Sequence, residues 1–244
     1  MNNICIILIL VSLLVLIGII VYFCLNKKKD NFSNDDFIIY ITHYLPLKER
    51  KQNIIKQLCN KYNYIFIENE PDINFINKFD TNKLSKAEIS LFFKHIECCK
   101  IISKNNKLYN LILEDDVILE YDFKNYIYKG INELNELNNN KNYIIYIGNC
   151  LHLHIEENQI KKDKFLYKHH MSKCADSYLI DKLTANKFLD YFYNYNNNKK
   201  ITKPIDHWMN DVIKHMDLNV FWLEPTIVEQ GTQNGKFKTS IDKF

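Results

Sequence analysis

Residues 108–123 read LYNLILEDDVILEYDF, and three consecutive acids interrupt an apolar run that predicts a buried strand. These acids are Glu114, Asp115 and Asp116. Neighbouring carboxylates repel one another, and burying an unpaired one is unfavourable, so a cation or a group of hydrogen-bond donors should lie opposite them. The alternative is a solvated strand end followed by a turn, but the apolar triplets LIL and VIL on either side of the acids disfavour it.

The segments around this stretch alternate between strand and helix patterns. Short apolar runs predict buried strands at residues 37–42, 64–68 and 143–149. Apolar periodicity and a capping-box pattern predict helices over residues 45–62, 84–103 and about 122–137. Such alternation predicts an α/β domain with a mostly parallel central sheet, in which ligands collect at the carboxyl ends of the strands. The three acids follow directly on the apolar half of their strand and therefore belong to that edge.

Composition limits the classes of function. The chain has 244 residues, is 47% hydrophobic and carries a net charge of +3, which suits one globular domain. Its Lys and Arg residues are scattered among acids and asparagines, so the sequence lacks the basic stripe expected of a protein that binds nucleic acid. With five glycines in all, it also contains neither a P-loop nor a dinucleotide fingerprint.

An apolar segment near the N-terminus predicts a single-pass membrane anchor. Residues 4–25 form an uncharged run of 22 residues, which as a helix would be about 33 Å long and would cross a hydrocarbon core of roughly 30 Å. A cleaved signal peptide is disfavoured because no basic region precedes the run and no small-residue cleavage site follows it. We therefore expect an anchor at 4–25, a linker at 26–35 and a globular domain at 36–244.

The charges beside this run predict its orientation. Lys27, Lys28 and Lys29 follow the run directly, and this positive-inside bias places the globular domain on the cytoplasmic side. Glycosylation at the sequon that begins with Asn31 would contradict that placement. The seven cysteines are irregularly spaced, so we expect no disulfide framework and a reducing compartment.

Two histidine pairs raise the alternative of a zinc site. His152 and His154 would share one face of a strand, and His169 and His170 form a less favourable pair. A zinc site is disfavoured because no second Cys or His cluster lies at the spacing of structural zinc sites.

Six segments occur in a fixed order over residues 36–242: LKERKQNI, LSKAEISLFFKHIECCKII, NLILEDDVIL, ADSYLIDKLTANKFL, KPIDHWM, and EPTIVEQ with TSI. In this order they resemble glycosyltransferase family 25, which includes lipooligosaccharide sugar transferases and collagen galactosyltransferases. The resemblance implies a GT-A-like, single nucleotide-sugar-binding domain. The sequence departs from the family's pattern at Thr42-His43, where Asn-Leu is common, at Ala87 and Ser90, where Gly is favoured, and at Lys94, which replaces Ser.

The resemblance also implies roles for individual residues. Asp115 and Asp116 would bind a metal ion, Mn²⁺ or Mg²⁺, together with the diphosphate of the donor, and Glu114 would help to orient the donor. Arg50 would contact the nucleotide, the alternative being a surface arginine. Glu88 would face the sugar, although a helix-capping role explains it equally well.

Four further residues match the family's motifs. His95 and Tyr178 would contact the donor, although for His95 a satisfied helix histidine is slightly favoured over a contact with phosphate. Gln230 belongs to the same expected donor site. Asp206 would be the catalytic base, the alternatives being a metal ligand or an acid favoured by the dipole at a helix start.

The sequence is therefore interpreted as a membrane-anchored glycosyltransferase. It would transfer a hexose, galactose or glucose, from a nucleotide-diphosphate donor such as a UDP-hexose to a hydroxyl of a glycan, lipid-linked glycan or protein acceptor, with inversion. A non-catalytic, membrane-tethered carbohydrate- or nucleotide-binding module is the alternative, which retention of all three acids disfavours. A metal-dependent phosphoesterase is also disfavoured, because such sites use more His and Asp ligands than one strand end supplies.

Overall fold

The computed structural model describes residues 37–137, 140–195 and 200–239. The predicted anchor at 4–25 and the predicted linker at 26–35 lie outside these residues. Within the described ranges no helix combines the length and the apolar character needed to cross a bilayer.

Within these ranges, nine strands form a large mixed sheet and a small second sheet. The strands are β1 (Phe37–Thr42), β2 (Tyr64–Ile67), β3 (Tyr109–Glu114), β4 (Val117–Leu119), β5 (Tyr143–Tyr146), β6 (Leu166–His169), β7 (Ser177–Ile180), β8 (Asn219–Leu223) and β9 (Val228–Gln230). Seven of them pair in the order β2-β1-β3-β7-β5-β8-β6, and β4 pairs with β9. Five strands of the large sheet run in one direction, while β7 and β6 run against their neighbours. The expected α/β fold with a mostly parallel sheet is confirmed.

Six α-helices accompany the sheet in the described residues. They are α1 (Lys48–Leu58), α2 (Ile73–Ile76), α3 (Lys86–Lys104), α4 (Phe123–Glu136), α5 (Lys182–Asp190) and α6 (Ile205–Met216). The predicted capping box at the start of α3 is confirmed, because Ser85 accepts from the Glu88 backbone N–H while the Glu88 side chain accepts from the Ser85 backbone N–H. This cap fixes the helix start that faces the functional edge of the sheet.

Helices cover both faces of the large sheet. The chain passes from β1 to β2 on one side and then crosses back to β3 on the other side of β1, so right-handed crossovers place α1 and α3 on opposite faces. α3, α5 and α6 bury one continuous core with inward residues such as Tyr40, Ile112 and Tyr178. Because both faces are covered, the central strands are nearly continuous apolar runs.

The acidic stretch is broken into two strands. β3 ends at Glu114, Asp115 and Asp116 form a turn, and β4 continues into the small sheet. The Gln57 side chain of α1 fixes β4, since it donates to Val117 O at 3.2 Å and accepts from Leu119 N at 2.7 Å. The two apolar triplets of the sequence therefore belong to different sheets, and the acids lie at the junction.

Candidate active site

The larger of two neighbouring cavities lies at the carboxyl ends of β1 and β3. It has a volume of about 480 Å³ and is lined by residues after β1, by the first half of α3, by the segment after β9, and by Glu114, Asp115 and Asp116, which we call the acidic turn. A cavity of this size is within the range of small-molecule sites in proteins. Sequence analysis placed ligands at this edge, and the cavity is located there.

Asp115 is neutralised by basic groups from two other segments. Its Oδ1 accepts from Arg50 Nη1 at 2.9 Å, and its Oδ2 lies 2.7 Å from His43 Nδ1 and accepts from Tyr44 N at 3.2 Å. Arg50 is itself buried and also donates to Lys238 O, so the alternative of a surface arginine is wrong. The cation expected opposite the acids is, for Asp115, an arginine of α1.

Asp116 keeps one oxygen without a partner. Its Oδ2 accepts from Thr232 Oγ1 at 2.7 Å, whereas Oδ1 is buried and has no hydrogen bond to any described residue. Burial raises the pKa of Asp116, while the Thr232 hydrogen bond and Arg50 act in the opposite direction. The glycine at position 231 allows the backbone beside Thr232 to pass close to Asp116, because a Cβ at Gly231 would lie 2.6 Å from Asp116 O.

Glu114 lies between the two cavities and borders both. Burial, followed by repulsion from Asp116, Asp176, Asp115 and Asp206, raises the pKa of Glu114 well above its usual range. His95 Nε2 lies 3.8 Å from Glu114 Oε1, but burial lowers the pKa of His95 to about 3, so the imidazole is neutral and does not compensate the charge. His95 therefore supplies no positive charge to Glu114.

His95 and Tyr178 contact each other in the core. His95 Nδ1 lies 2.8 Å from the Tyr178 hydroxyl, and the two rings stack with centroids 5.7 Å apart. Neither residue lines either of the two cavities. The contact with a donor that the resemblance implies for them stays a prediction.

Lys94 supplies a second cation to the larger cavity. Its buried ammonium donates to His43 O at 2.7 Å and to Glu70 Oε1 at 2.6 Å. Glu70 also accepts from Ser90 Oγ at 2.6 Å. Two positions at which the sequence departs from the family's pattern, Lys94 and Ser90, thus act together to hold Glu70 against the cavity wall.

The smaller cavity adjoins the acidic turn on its other side. Its volume is about 280 Å³, and its wall carries the carboxylates of Glu88, Glu114, Asp176 and Asp206. Gln230 borders both cavities, as do Glu114 and Leu91. Asp206 lies in the first turn of α6, where its Oδ1 accepts from His207 N at 2.8 Å. The structure therefore brings Asp206, Glu88 and Gln230 close to the acidic turn, as the resemblance implies.

Asp176 is a site residue that sequence analysis missed. It precedes β7, which runs antiparallel to β3, so the start of β7 lies beside the end of β3 and Glu114 N donates to Asp176 O at 2.8 Å. Its carboxylate is buried, and burial raises the pKa of Asp176 to about 7. The signal in the sequence was an isolated acid among apolar and small residues, in CADSYLI. That pattern does not indicate the direction of the strand, so it does not indicate that the acid lies beside Glu114.

The expectation of no disulfide is wrong. Cys150 and Cys174 are bonded to each other across 24 residues of sequence, and both line the smaller cavity. The bond ties the short 3₁₀ turn Cys150–His152 to the segment that leads into Asp176. Neither cysteine lies in a motif, and the pairing arises because β5 and β7 are neighbours in the sheet.

Loss of this disulfide is expected to destabilise the fold by about 3 kcal/mol, because the open chain regains the entropy of a loop of this length. Denaturant unfolding of Cys150→Ser compared with wild type would measure it. Cys59→Ser, which removes an exposed free thiol, is the matched control. Mass spectrometry that finds free thiols at both positions in the oxidised protein would contradict the assignment.

The histidine pairs do not form a zinc site in the described residues. His152 belongs to the 3₁₀ turn and not to a strand, and His154 lies 3.2 Å from Glu224. Over the described ranges, the one group with metal-ligand spacing consists of Cys150, Cys174 and Asp176. Its sulfurs are bonded to each other, so they are not available as thiolate ligands.

The α/β fold gathers carboxylates at the strand ends, beside two adjoining cavities. Enzymes of this fold class bind their ligands at the carboxyl edge of the sheet. The chain belongs to glycosyltransferase family 25: the model of that family, described as "Glycosyltransferase family 25 (LPS biosynthesis protein)", matches residues 48–209, which is more than half of the chain. The protein is therefore a glycosyltransferase, and the resemblance found in the sequence is confirmed. A comparison with curated proteins finds no match.

Proposed function

We propose that this glycosyltransferase has a GT-A-like site that moves a hexose from a nucleotide diphosphate in the larger cavity to an acceptor hydroxyl in the smaller one. The observation that carries the proposal is the shared wall: Glu114 and Gln230 border both cavities, so a group bound between them faces both. UDP-galactose and UDP-glucose are the expected donors. Glycans, lipid-linked glycans and proteins are the acceptor classes.

The larger cavity has charges suited to a diphosphate. Arg50, Lys86 and Lys94 line it together with the carboxylates of Glu70 and the acidic turn, and Arg50 and Lys94 are paired with Asp115 and Glu70. Arg50 has a planar guanidinium of the type that binds phosphate oxygens. Because Arg50 is fixed on Asp115, its position is set before the donor binds. These contacts support binding of the donor in the larger cavity.

Asp116 and its neighbours fit a divalent ion, Mn²⁺ or Mg²⁺. Asp116 has a buried oxygen without a partner among the described residues. Burial, together with repulsion from neighbouring carboxylates, raises the pKa values of Glu114, Asp116 and Asp176. Asp115 was expected to share the ion, but both of its oxygens already accept from other groups. Asp116 would therefore be the principal ligand. When bound, the ion supplies positive charge that stabilises the diphosphate as it leaves.

The chemistry at the acceptor requires a base. As the acceptor oxygen attacks the anomeric carbon, its proton passes to a carboxylate in the smaller cavity, and the bond from the anomeric carbon to the diphosphate oxygen breaks with its electron pair. A single displacement of this kind inverts the anomeric centre. Asp206 is the base that the family resemblance implies, and it borders the smaller cavity, where the acceptor is proposed to bind.

The function is tested by incubating the full-length protein with UDP-galactose or UDP-glucose, Mn²⁺ and simple glycosides as acceptors. We expect release of UDP together with a glycosylated product, and we expect EDTA to abolish it and added Mn²⁺ or Mg²⁺ to restore it. Absence of product with every nucleotide sugar would contradict the proposed donor class. Full turnover in EDTA would instead remove the metal from the reaction.

Membrane anchoring through residues 4–25 is a second part of the proposal, supported by the length and apolar character of that run. The cytoplasmic placement of the domain stays a prediction. The Cys150–Cys174 disulfide favours an oxidising compartment instead, because disulfides are rare in the cytosol. Protease protection in sealed microsomes decides: cleavage of the domain from outside supports the cytoplasmic side, and protection with glycosylation at Asn31 contradicts it.

A further inference from the structure

A buried carboxylate in the wall of the smaller cavity has no structural role that accounts for it. Asp176 is 1% exposed, and its Oδ2 accepts from Ser177 Oγ at 2.8 Å. Its Oδ1 is fully buried and finds no hydrogen-bond partner in the part of the chain that the structure describes. A buried oxygen of this kind requires an explanation, because an unsatisfied polar atom is unfavourable and rare.

The backbone around Asp176 is arranged to make room for this carboxylate. A Cβ at position 148 would lie 2.3 Å from Asp176 Oδ2 and 2.6 Å from Ser177 Oγ, so any residue other than glycine would displace both groups. The Cys150–Cys174 disulfide adjoins the same position, with ligand atoms of all three residues within 4.8 Å of one another. Gly148 and the disulfide thus fix Asp176 from two sides.

Asp206 lacks these features. Its side chain is 32% exposed, and its Oδ1 accepts from the N–H of His207, as expected for an acid in the first turn of a helix. Its position is explained by a favourable interaction with the dipole of α6, whether or not it takes part in the reaction. Asp176 is a buried carboxylate in the wall of the smaller cavity whose Oδ1 has no partner among the described residues, and its backbone carbonyl accepts from the N–H of Glu114, which borders both cavities.

We propose that Asp176 is the carboxylate that accepts the proton of the acceptor hydroxyl. This inference rests on the proposed function. The acceptor O–H bond breaks and its proton moves to Asp176 Oδ1, the acceptor oxygen bonds to the anomeric carbon, and the electron pair of the broken sugar–diphosphate bond leaves with the diphosphate. Asp206 then contributes to the electrostatics and the shape of the cavity and does not accept the proton.

Asp176→Asn tests the proposal in the full-length protein. We expect the transfer rate to fall by about 10²- to 10⁴-fold, the usual contribution of general-base catalysis. Calorimetric affinity for UDP should stay at its wild-type value, because the donor occupies the other cavity, and the affinity for Mn²⁺ should fall far less than it does in Asp116→Asn. Asp206→Asn should lower the rate less than Asp176→Asn does. Asp211→Asn, the same change at an exposed ion pair on the same helix, should leave the rate unchanged.

Chemical rescue separates a base from a residue that only shapes the cavity. Formate should restore part of the transfer rate of Asp176→Ala and none of that of Gly148→Ala, in which the carboxylate is present but displaced. A wild-type rate in Asp176→Asn, a larger loss in Asp206→Asn, weakened UDP binding in Asp176→Asn, or a loss of Mn²⁺ affinity in it as large as that in Asp116→Asn would each overturn the assignment. If the wild-type protein itself transfers no sugar, that result contradicts the proposed function. It is distinct from the outcomes that contradict Asp176 as the base.

Discussion

Asp116→Asn is expected to lower the transfer rate by at least about 10²-fold, because a metal-held diphosphate gains several kcal/mol of stabilisation and each 1.4 kcal/mol is about a factor of ten. The substitution removes the charge of the carboxylate that has an oxygen free for the ion. We expect the Mn²⁺ affinity, measured by calorimetry in the presence of UDP, to fall in parallel with the rate.

The fold should tolerate this substitution. Burial raises the pKa of Asp116, so the ionised form is disfavoured in the folded state and removal of the charge does not reduce stability. Thermal unfolding of Asp116→Asn in EDTA should therefore occur at the wild-type temperature or above it. Thr232→Val is a useful comparison, since it removes the hydrogen bond to Oδ2 and keeps the charge. Wild-type Mn²⁺ affinity in Asp116→Asn would exclude Asp116 as a ligand.

Arg50→Met is expected to destabilise the fold about as much as loss of the disulfide does. Arg50 and Asp115 form a buried ion pair at 2.9 Å, with side chains that are 8% and 7% exposed. Removing one partner of such a pair leaves an uncompensated charge and costs about 3–5 kcal/mol, and the lower end applies here because His43 and Tyr44 N still contact Asp115. Denaturant unfolding measures the loss, and UDP affinity should fall as well.

A second substitution distinguishes the two effects. In the double variant Arg50→Met with Asp115→Asn the buried charge is gone, so most of the stability should return while UDP binding stays weak. Arg50→Lys keeps the charge but lacks the planar fork, and we expect it to fall between wild type and Arg50→Met in both measurements. Equal stability of Arg50→Met and wild type would show that Asp115 is compensated by His43 alone.

Local patterns were sufficient to predict most of the elements near the site. The apolar run before Glu114 and the capping box at Ser85 and Glu88 depend on residues within a few positions of each other, and both were confirmed. The start of α6 after Pro204 follows from the same kind of signal. The family could be inferred from the order of its motifs, and the family comparison confirms it.

The partners of the acids could not be predicted in this way. Arg50 and His43 reach Asp115 from 65 and 72 positions away, and Thr232 reaches Asp116 from 116 positions away. These contacts depend on the parallel pairing of β1 with β3 and on the pairing of β4 with β9. The sequence indicated that a cation was required, but not that the cation for Asp115 would be an arginine.

The sequence by itself therefore determined the alternation of strands and helices, the acidic turn at a strand end and the family, because each is carried by residues that are close in the chain or by motifs in linear order. Three features depend on contacts between distant segments: the unpartnered oxygens of Asp116 and Asp176 among the described residues, the position of Asp176 at the site, and the bond between Cys150 and Cys174. The physical reason is the direction of β7. An antiparallel strand brings its first residues to the edge where its parallel neighbours end, and apolar alternation is the same in either direction.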